Sequence, residues 1–328
     1  MSAENPDLPL LRLQLRFEAL ERIDDLPEFR GAFWRGLFGR ALKRFSESHE
    51  PLEALWPQSV ATVATGGIAR AALYDVLFSP DDAGGPVPPH RRPPAPFVVD
   101  APHGPARLRP GEIEMIGLTL IGERAAAALP AVLAAFGRAA EDGLGRADAA
   151  GRRGRARLAD AMVVWREEGA ACSILAREGQ VSRVGAAAPV VVGCPASVLV
   201  TLATPLRIMR DGAALGPRDF TPGDLLEALV RRVSTLQKAH GPRPVAADFA
   251  ALFARAALAR MGEVDLHPAG RHRWSGSQRQ QIAMDGIAGS FRLAMAGLEP
   301  LWPYLWLGQW LHAGKGAAMG LGAIRLGR

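Results

Sequence analysis

The chain has 328 residues, of which 48% are hydrophobic, enough for two domains of about 150 residues, each with its own core. The formal net charge is +6 and the pI is about 10.1, a surplus that favours an acidic partner such as nucleic acid or an anionic surface. No apolar run reaches the roughly 18 residues of a membrane span, the opening MSAENPDLPL lacks a signal peptide's apolar stretch, and Cys172 and Cys194 have no metal-ligand spacing, so a cytoplasmic protein without membrane, metal or cofactor is expected.

In PLLRLQLRF (9–17), Leu11, Leu13, Leu15 and Phe17 alternate with Arg12, Gln14 and Arg16, the pattern of a half-buried strand. The next segment, Phe29–Phe45, places Trp34, Leu37, Phe38, Ala41, Leu42 and Phe45 on one helical face, with Arg35, Arg40, Lys43 and Arg44 flanking or opposing it. Glycines 31, 36 and 39 weaken that helix and point to close packing or close approach of a ligand. Residues 80–96 are rich in Pro, Gly and Arg and read as an extended loop. Glu112–Ile121 reads as a strand, Ala125–Ala140 as a helix that tolerates Pro130 only near its first turn, and Leu158–Trp165 as a strand after the basic loop 145–157.

The second half repeats the order. Ser197–Thr204 reads as a strand, Gly223–Ala239 and Ala246–Arg260 as helices, and Ile282–Met295 as a strand bent at Gly286 and Gly289. Pro300–His312 reads as a Trp-rich helix and Leu321–Leu326 as a last strand. Each half therefore runs strand, helix, strand pair, helix, strand, which is the split β-α-β unit. The expected fold is α+β, two tandem ferredoxin-like (RRM-like) domains, each an antiparallel sheet with helices on one face. The domains are expected at 1–175 and 176–328, the second carrying the glycine-rich loop.

Two segments carry candidate chemistry. Gly314–Gly322, GKGAAMGLG, is not a P-loop, because the GxxxxGK[ST] order is absent. Gly314, Gly316 and Gly320 could aim backbone N–H groups at a phosphate with Lys315 adding charge; the alternative is a plain turn before an edge strand. RHRWSGSQRQ (271–280) groups Arg271, Arg273 and Arg279 around Trp274, suiting phosphate pairing and base stacking; the alternative is a solvated basic strand with one core Trp. From His267 onward there are seven Lys or Arg against two acids, nearly the whole chain's surplus. The seven histidines include His90 and His103 in Pro-rich loops, His240 at a helix end, His267 before Pro268 in a turn, and His272 in the basic stretch. His49, after the first helix, and His312, before the glycine loop, are the candidates for general acid or base.

Seven stretches, in this order, resemble one family over nearly the whole chain: FRGAFWRGLFGRAL, PFVVDAP, GEIEMIGLTLIG, TPLRIMRDG, LLEALVRRVSTL, RHRWSGSQRQ with GIAGSFRLAMAG, and LWLGQWLHAGKGAAMGLGAIRL. The family is the CRISPR-associated endoribonuclease that processes precursor CRISPR RNA, the sixth Cas protein, of the repeat-associated mysterious protein superfamily. The resemblance implies two ferredoxin-like domains, CRISPR repeat RNA as partner, and metal-independent cleavage through attack by the RNA's own 2′-hydroxyl. It implies a catalytic residue on the first helix, where relatives often read GHAL and this chain reads GRAL with Arg40. Arginine can stabilise an oxyanion but does not deprotonate near neutrality. Arg40, His49 and His312 are thus the expected catalytic residues. Arg35, Lys43 and Arg44 join those of the two segments above as RNA-binding residues. A repeat-binding subunit of an RNA-guided effector complex, with other Cas subunits as partners and weak or no cleavage, is the alternative.

Overall fold

The structure is a computed structural model that describes residues 5–61, 63–80, 93–104, 106–164, 171–175, 179–270, 272–275 and 280–327, with backbone only at 272–275 and 280–283. It divides into two compact units, Pro9–Ala187 and Ala188–Arg328, the latter including Met1–Leu8.

The N-terminal unit runs β1 (Leu10–Ala19), β2 (Ile23–Leu26), α1 (Arg30–Glu47), α2 (Leu52–Leu55), α3 (Leu73–Phe78), β3 (Phe97–Asp100), β4 (Ala106–Leu108), β5 (Ile113–Ile121), α4 (Glu123–Ala127), α5 (Leu129–Glu141), β6 (Ala156–Val164) and β7 (Ala171–Ser173). Its main sheet is antiparallel, in the order β3-β5-β1-β6-β7. Removing the outer β7 leaves the ferredoxin-like order of a split β-α-β unit. The alternation in β1 is realised: Leu11, Leu13, Leu15 and Phe17 are buried and the polar residues between them are half-buried. Phe17 stacks on Trp34 with centroids 4.3 Å apart, and Phe38 stacks on Phe136 at 4.5 Å, which clamps α1 between sheet and α5.

The helix expected at 125–140 is two. The chain breaks at Ala128, and Pro130 falls in the first turn of α5, where its missing N–H costs no helical bond. The segment 81–92 within the expected loop, and Trp165 of the expected strand, lie outside the described residues.

The C-terminal unit runs β8 (Ser197–Leu206), β9 (Met209–Arg210), β10 (Ala213–Ala214), α6 (Pro222–His240), α7 (Phe249–Ala257), β11 (Met261–Ala269), β12 (His272–Ser275), β13 (Gln280–Ala283), β14 (Gly286–Ala294), α8 (Trp302–Leu311) and β15 (Ile324–Gly327). The antiparallel sheet β11-β14-β8-β15 repeats the order of the first unit. Thr221 caps α6 in a reciprocal capping box with Asp224, and Asp248 caps α7, which starts there rather than at 246. The strand expected over 282–295 is split into β13 and β14. The register shift between Ile287 and Gly289, with φ +114° at Gly289, is the bulge its glycines suggested. His267 lies on β11 rather than in a turn, because Pro268 sits on an edge strand. His103, in its Pro-rich loop, is half-buried and bridges to Phe29, with ring centroids 6.3 Å apart. Among the described residues no helix is long and apolar enough to cross a membrane.

Candidate RNA-binding and cleavage residues

On the N-terminal unit, the buried face of α1 fixes where its cations point. Arg40, Lys43 and Arg44 are exposed. Lys43 lies 3.6 Å from Glu47, and Arg44 lies 3.8 Å from Glu50. Arg35 is held over two rings, 5.1 Å from the Phe78 centroid and 5.9 Å from that of Phe97. Gly39 permits this packing, because a Cβ there would lie 3.0 Å from the Phe78 ring. At Gly36 a Cβ would lie 3.7 Å from the Arg40 guanidinium, an ordinary van der Waals contact, so the packing there does not demand glycine. The pKa of Arg40 is lowered, first by burial of its guanidinium and then by the positive charge of Arg153. Arginine's ordinary value is high enough that the group stays a cation. Among the described residues Arg40 enters no ion pair. His49 is exposed, two residues beyond the end of α1.

The start of α1 is anchored internally. Arg30 Nε lies 3.3 Å from Glu114 Oε1 and also donates to the Pro102 carbonyl at 3.0 Å; both side chains are buried. Burial pushes the Glu114 carboxyl up, and Arg30 and the Trp34 indole partly oppose that shift.

On the C-terminal unit, α8 ends at His312, which is 3% exposed and has φ +57°. Its N–H donates to the Gly308 carbonyl. Arg232 of α6 caps the same helix end, its Nε donating to the Leu311 carbonyl at 2.6 Å, and burial lowers its pKa to about 10. The glycine loop follows. The N–H groups of Ala313, Lys315, Met319, Gly320, Leu321 and Gly322 all donate within the unit. The buried Thr204 hydroxyl donates to the Gly320 carbonyl at 2.8 Å and accepts from the Ala323 N–H at 2.9 Å. Gly314, Gly316, Gly320 and Gly322 all have positive φ. A Cβ would lie 2.4 Å from the Arg207 carbonyl at Gly314 and 1.9 Å from the Ala313 carbonyl at Gly322. The loop's own path therefore requires glycine at these two positions. Lys315 is exposed and, among the described residues, makes no ion pair.

Arg271 and Arg279 lie outside the described residues. Arg273 and Trp274 fall on β12, which pairs with β13 in a hairpin, Arg273 opposite Ile282 and Trp274 opposite Gln281. Arg35, Arg40, Lys43, Arg44 and His49 share the first unit; His312, Gly314, Lys315, Gly316 and Gly320 share the second. Sequence reasoning missed the buried Arg30–Glu114 pair, the Thr204 clasp and Arg232. Only the unusual position of Arg and Glu among apolar residues hinted at the first.

A family model described as an N-terminal domain, AF_1859_N, matches residues 8–186, more than half of the chain. The model of the CRISPR-associated endoribonuclease Cas6 matches residues 200–324. None of the curated protein sequences compared with the chain matches it. Among solved structures, the product complex of Cas6 TTHB231, a Thermus thermophilus protein, aligns with TM-score 0.54 at 18% identity, over 97% of this chain and 99% of that one. The product complex of Cas6 TTHA0078 aligns with TM-score 0.51 at 18% identity, over 98% and 100%. A partial Cas6-RT-Cas1–Cas2 complex aligns with TM-score 0.55 at 14% identity, over all of this chain and 47% of that one. At these identities the structural likeness speaks for the fold. With the matched family models, the chain belongs to the family of that N-terminal domain and, through its second half, to the Cas6 family of CRISPR-associated endoribonucleases.

Proposed function

We propose that the protein binds CRISPR repeat RNA and cleaves precursor CRISPR RNA, without a metal, to give guide RNA. The observation that carries this reading is the Cas6 family match over residues 200–324, on a chain whose fold follows Cas6 over nearly its full length. In the reaction, the 2′-hydroxyl attacks the adjacent phosphorus, and the products are a 2′,3′-cyclic phosphate and a 5′-hydroxyl. The step needs a proton acceptor for the nucleophile, a proton donor for the leaving oxygen, and positive charge on the phosphorane. Arg40 supplies charge. His49, exposed next to α1, is suited to move the proton, whereas the buried His312 sets the turn into the glycine loop. Lys315 contacts the RNA backbone.

The second reading is a repeat-binding subunit that does not cut, working with other Cas proteins. The residue that favours it is Arg40, standing where relatives often carry histidine. Mixing the purified protein with labelled repeat RNA in EDTA decides between them. Cleavage to the cyclic phosphate supports the endoribonuclease, and tight binding without cleavage supports the subunit. Failure to bind repeat RNA would refute both.

A further inference from the structure

Arg207 directly follows β8 and packs against two glycines. A Cβ on Gly286 would lie 3.0 Å from its Cγ, and one on Gly314 would lie 2.4 Å from its carbonyl oxygen. Glycine at both positions lets the turn after β13 and the glycine loop close in on Arg207. The Arg207 carbonyl accepts the Lys315 N–H at 2.8 Å. Its half-buried side chain is fixed on the segment that joins β13 to β14: Nε donates to the Asp285 carbonyl at 2.7 Å, and Nη1 lies 3.6 Å from Met284 Sδ. Met284 is buried, and its methyl carbon lies 3.4 Å from where a Cβ on Gly316 would stand. The guanidinium is therefore held beside the glycine loop, with one thioether between them.

What this guanidinium lacks is a counter-charge. Arg210, Arg231 and Arg292 of the same unit are each paired with an acid, Asp224, Glu227 and Glu263. Arg207 is held by a carbonyl and a sulfur, and among the described residues it enters no ion pair. Asp285 offers it the main-chain oxygen rather than the carboxylate. Among the described residues Nη2 has no hydrogen-bond partner, and it is not buried. A side chain anchored at Nε and Nη1 has given up its rotamer freedom before a ligand arrives, so an oxyanion at Nη2 costs little further ordering. Phosphate oxygens suit such a fixed, planar donor.

We propose that Arg207 is a pre-set phosphate-binding residue, which grips one phosphate of the RNA backbone at the edge of the glycine loop. The proposal rests on the RNA-binding reading above and adds to it Arg207, which that reading leaves without a role. Asp285 and Met284 position the guanidinium, and its Nη2 side makes the contact.

The test uses the intact protein and its variants Arg207→Ala and Arg207→Lys, with Arg231→Ala as a control arginine already paired with an acid. Two probes are used: repeat RNA across a salt series, and inorganic pyrophosphate in thermal melting. Arg207→Ala should weaken RNA binding about tenfold and flatten the log–log salt slope by about 0.7, the share of one phosphate on a single strand. Arg207→Lys should keep the wild-type slope, because the charge remains, and recover only part of the affinity, because an ammonium lacks the planar fork. Arg231→Ala should change neither. Where the wild type binds RNA, the slope decides: a purely structural Arg207 would lower the melting temperature of Arg207→Ala and leave the slope alone, which overturns the proposal. Equal flattening by Arg231→Ala also overturns it, since any lost cation would then do. Where the wild type binds no RNA, the RNA reading falls and pyrophosphate decides. The phosphate site at Arg207 then stands if pyrophosphate raises the melting temperature of the wild type and of Arg231→Ala but not of Arg207→Ala, and falls if Arg207→Ala keeps the shift or the wild type shows none.

Discussion

Arg30 and Glu114 form an ion pair that both the start of α1 and the first register positions of β5 bury, with 3.3 Å between Nε and Oε1. The pair ties the helix that carries Arg40 to the central sheet. Removing one partner strands the other charge in the core, so Glu114→Ala should cost about 3 kcal/mol or more. Replacing both by apolar residues of similar volume should cost less. Urea unfolding of the two single variants and the double variant measures the difference; equal losses would mean the pair is not coupled.

The pair also has a pH signature. Burial holds the Glu114 pKa above its ordinary value of 4.5, so between that value and the raised one the native state binds more protons than the unfolded state. Stability contributed by this group is therefore greatest on the acid side of that window and falls as pH rises through it. In melting experiments across the window, Glu114→Gln should flatten this fall, although it lowers stability overall by leaving Arg30 without its counter-charge. A variant curve parallel to the wild type would show that Glu114 does not titrate there.

Much of the frame was legible because its periodicities are strong. The alternation of β1 and the apolar face of α1 are written in Leu11 to Phe17 and Trp34 to Phe45. β11 was passed over although Val264 and Leu266 alternate with Glu263, Asp265 and His267: the run is short, Gly262 and Pro268 flank it as turn residues, and as an edge strand it is mostly exposed. The glycine loop was found, but sequence cannot tell a glycine that admits a ligand from one that admits the chain's own carbonyl. At Gly322 the carbonyl of Ala313 decides it. Arg207 looks like its neighbour Arg210 until their partners are known, a carbonyl for one and Asp224 for the other.

The loop accordingly separates stability from binding. Gly322→Ala forces positive φ and a collision with the Ala313 carbonyl, so it should lower the C-terminal unit's stability by at least about 2 kcal/mol. Thr204→Val removes a hydroxyl bonded on both sides of the loop and should cost about 1 to 3 kcal/mol. Lys315→Ala should leave the melting temperature nearly unchanged and weaken RNA binding about tenfold through one lost charged contact. Thermal melting and equilibrium binding on the same samples check the split. A Lys315→Ala protein that binds RNA as the wild type does would make the loop a turn and nothing more.

Binding should be strongly electrostatic, given a +6 chain with exposed cations on α1 and at Lys315. For about five neutralised phosphates the log–log slope of affinity against salt on single-stranded RNA should be about −3.5. A slope near zero would mean that stacking or base contacts, and not these cations, hold the RNA.

The last prediction concerns the cut. Attack by the 2′-hydroxyl requires that group, so RNA with a 2′-deoxy nucleotide at the scissile position should bind normally and remain whole. Cleavage of ordinary RNA should survive EDTA and leave a 2′,3′-cyclic phosphate. Arg40→Ala should slow the cut by removing charge from the phosphorane. His49→Ala should slow it by about 10²- to 10⁴-fold if His49 moves the proton, with its loss appearing in kcat rather than in RNA affinity. His312→Ala should instead lower stability, because His312 is buried where α8 turns into the loop. Arg40→His is the informative gain-of-function change: it places a titratable imidazole at the position where relatives often carry one. On the reading that Arg40 limits the rate, this variant should cut faster than the wild type. An Arg40→His protein no faster than Arg40→Ala would put the proton-transfer residue elsewhere, and metal-dependent cleavage in the wild type would refute the mechanism.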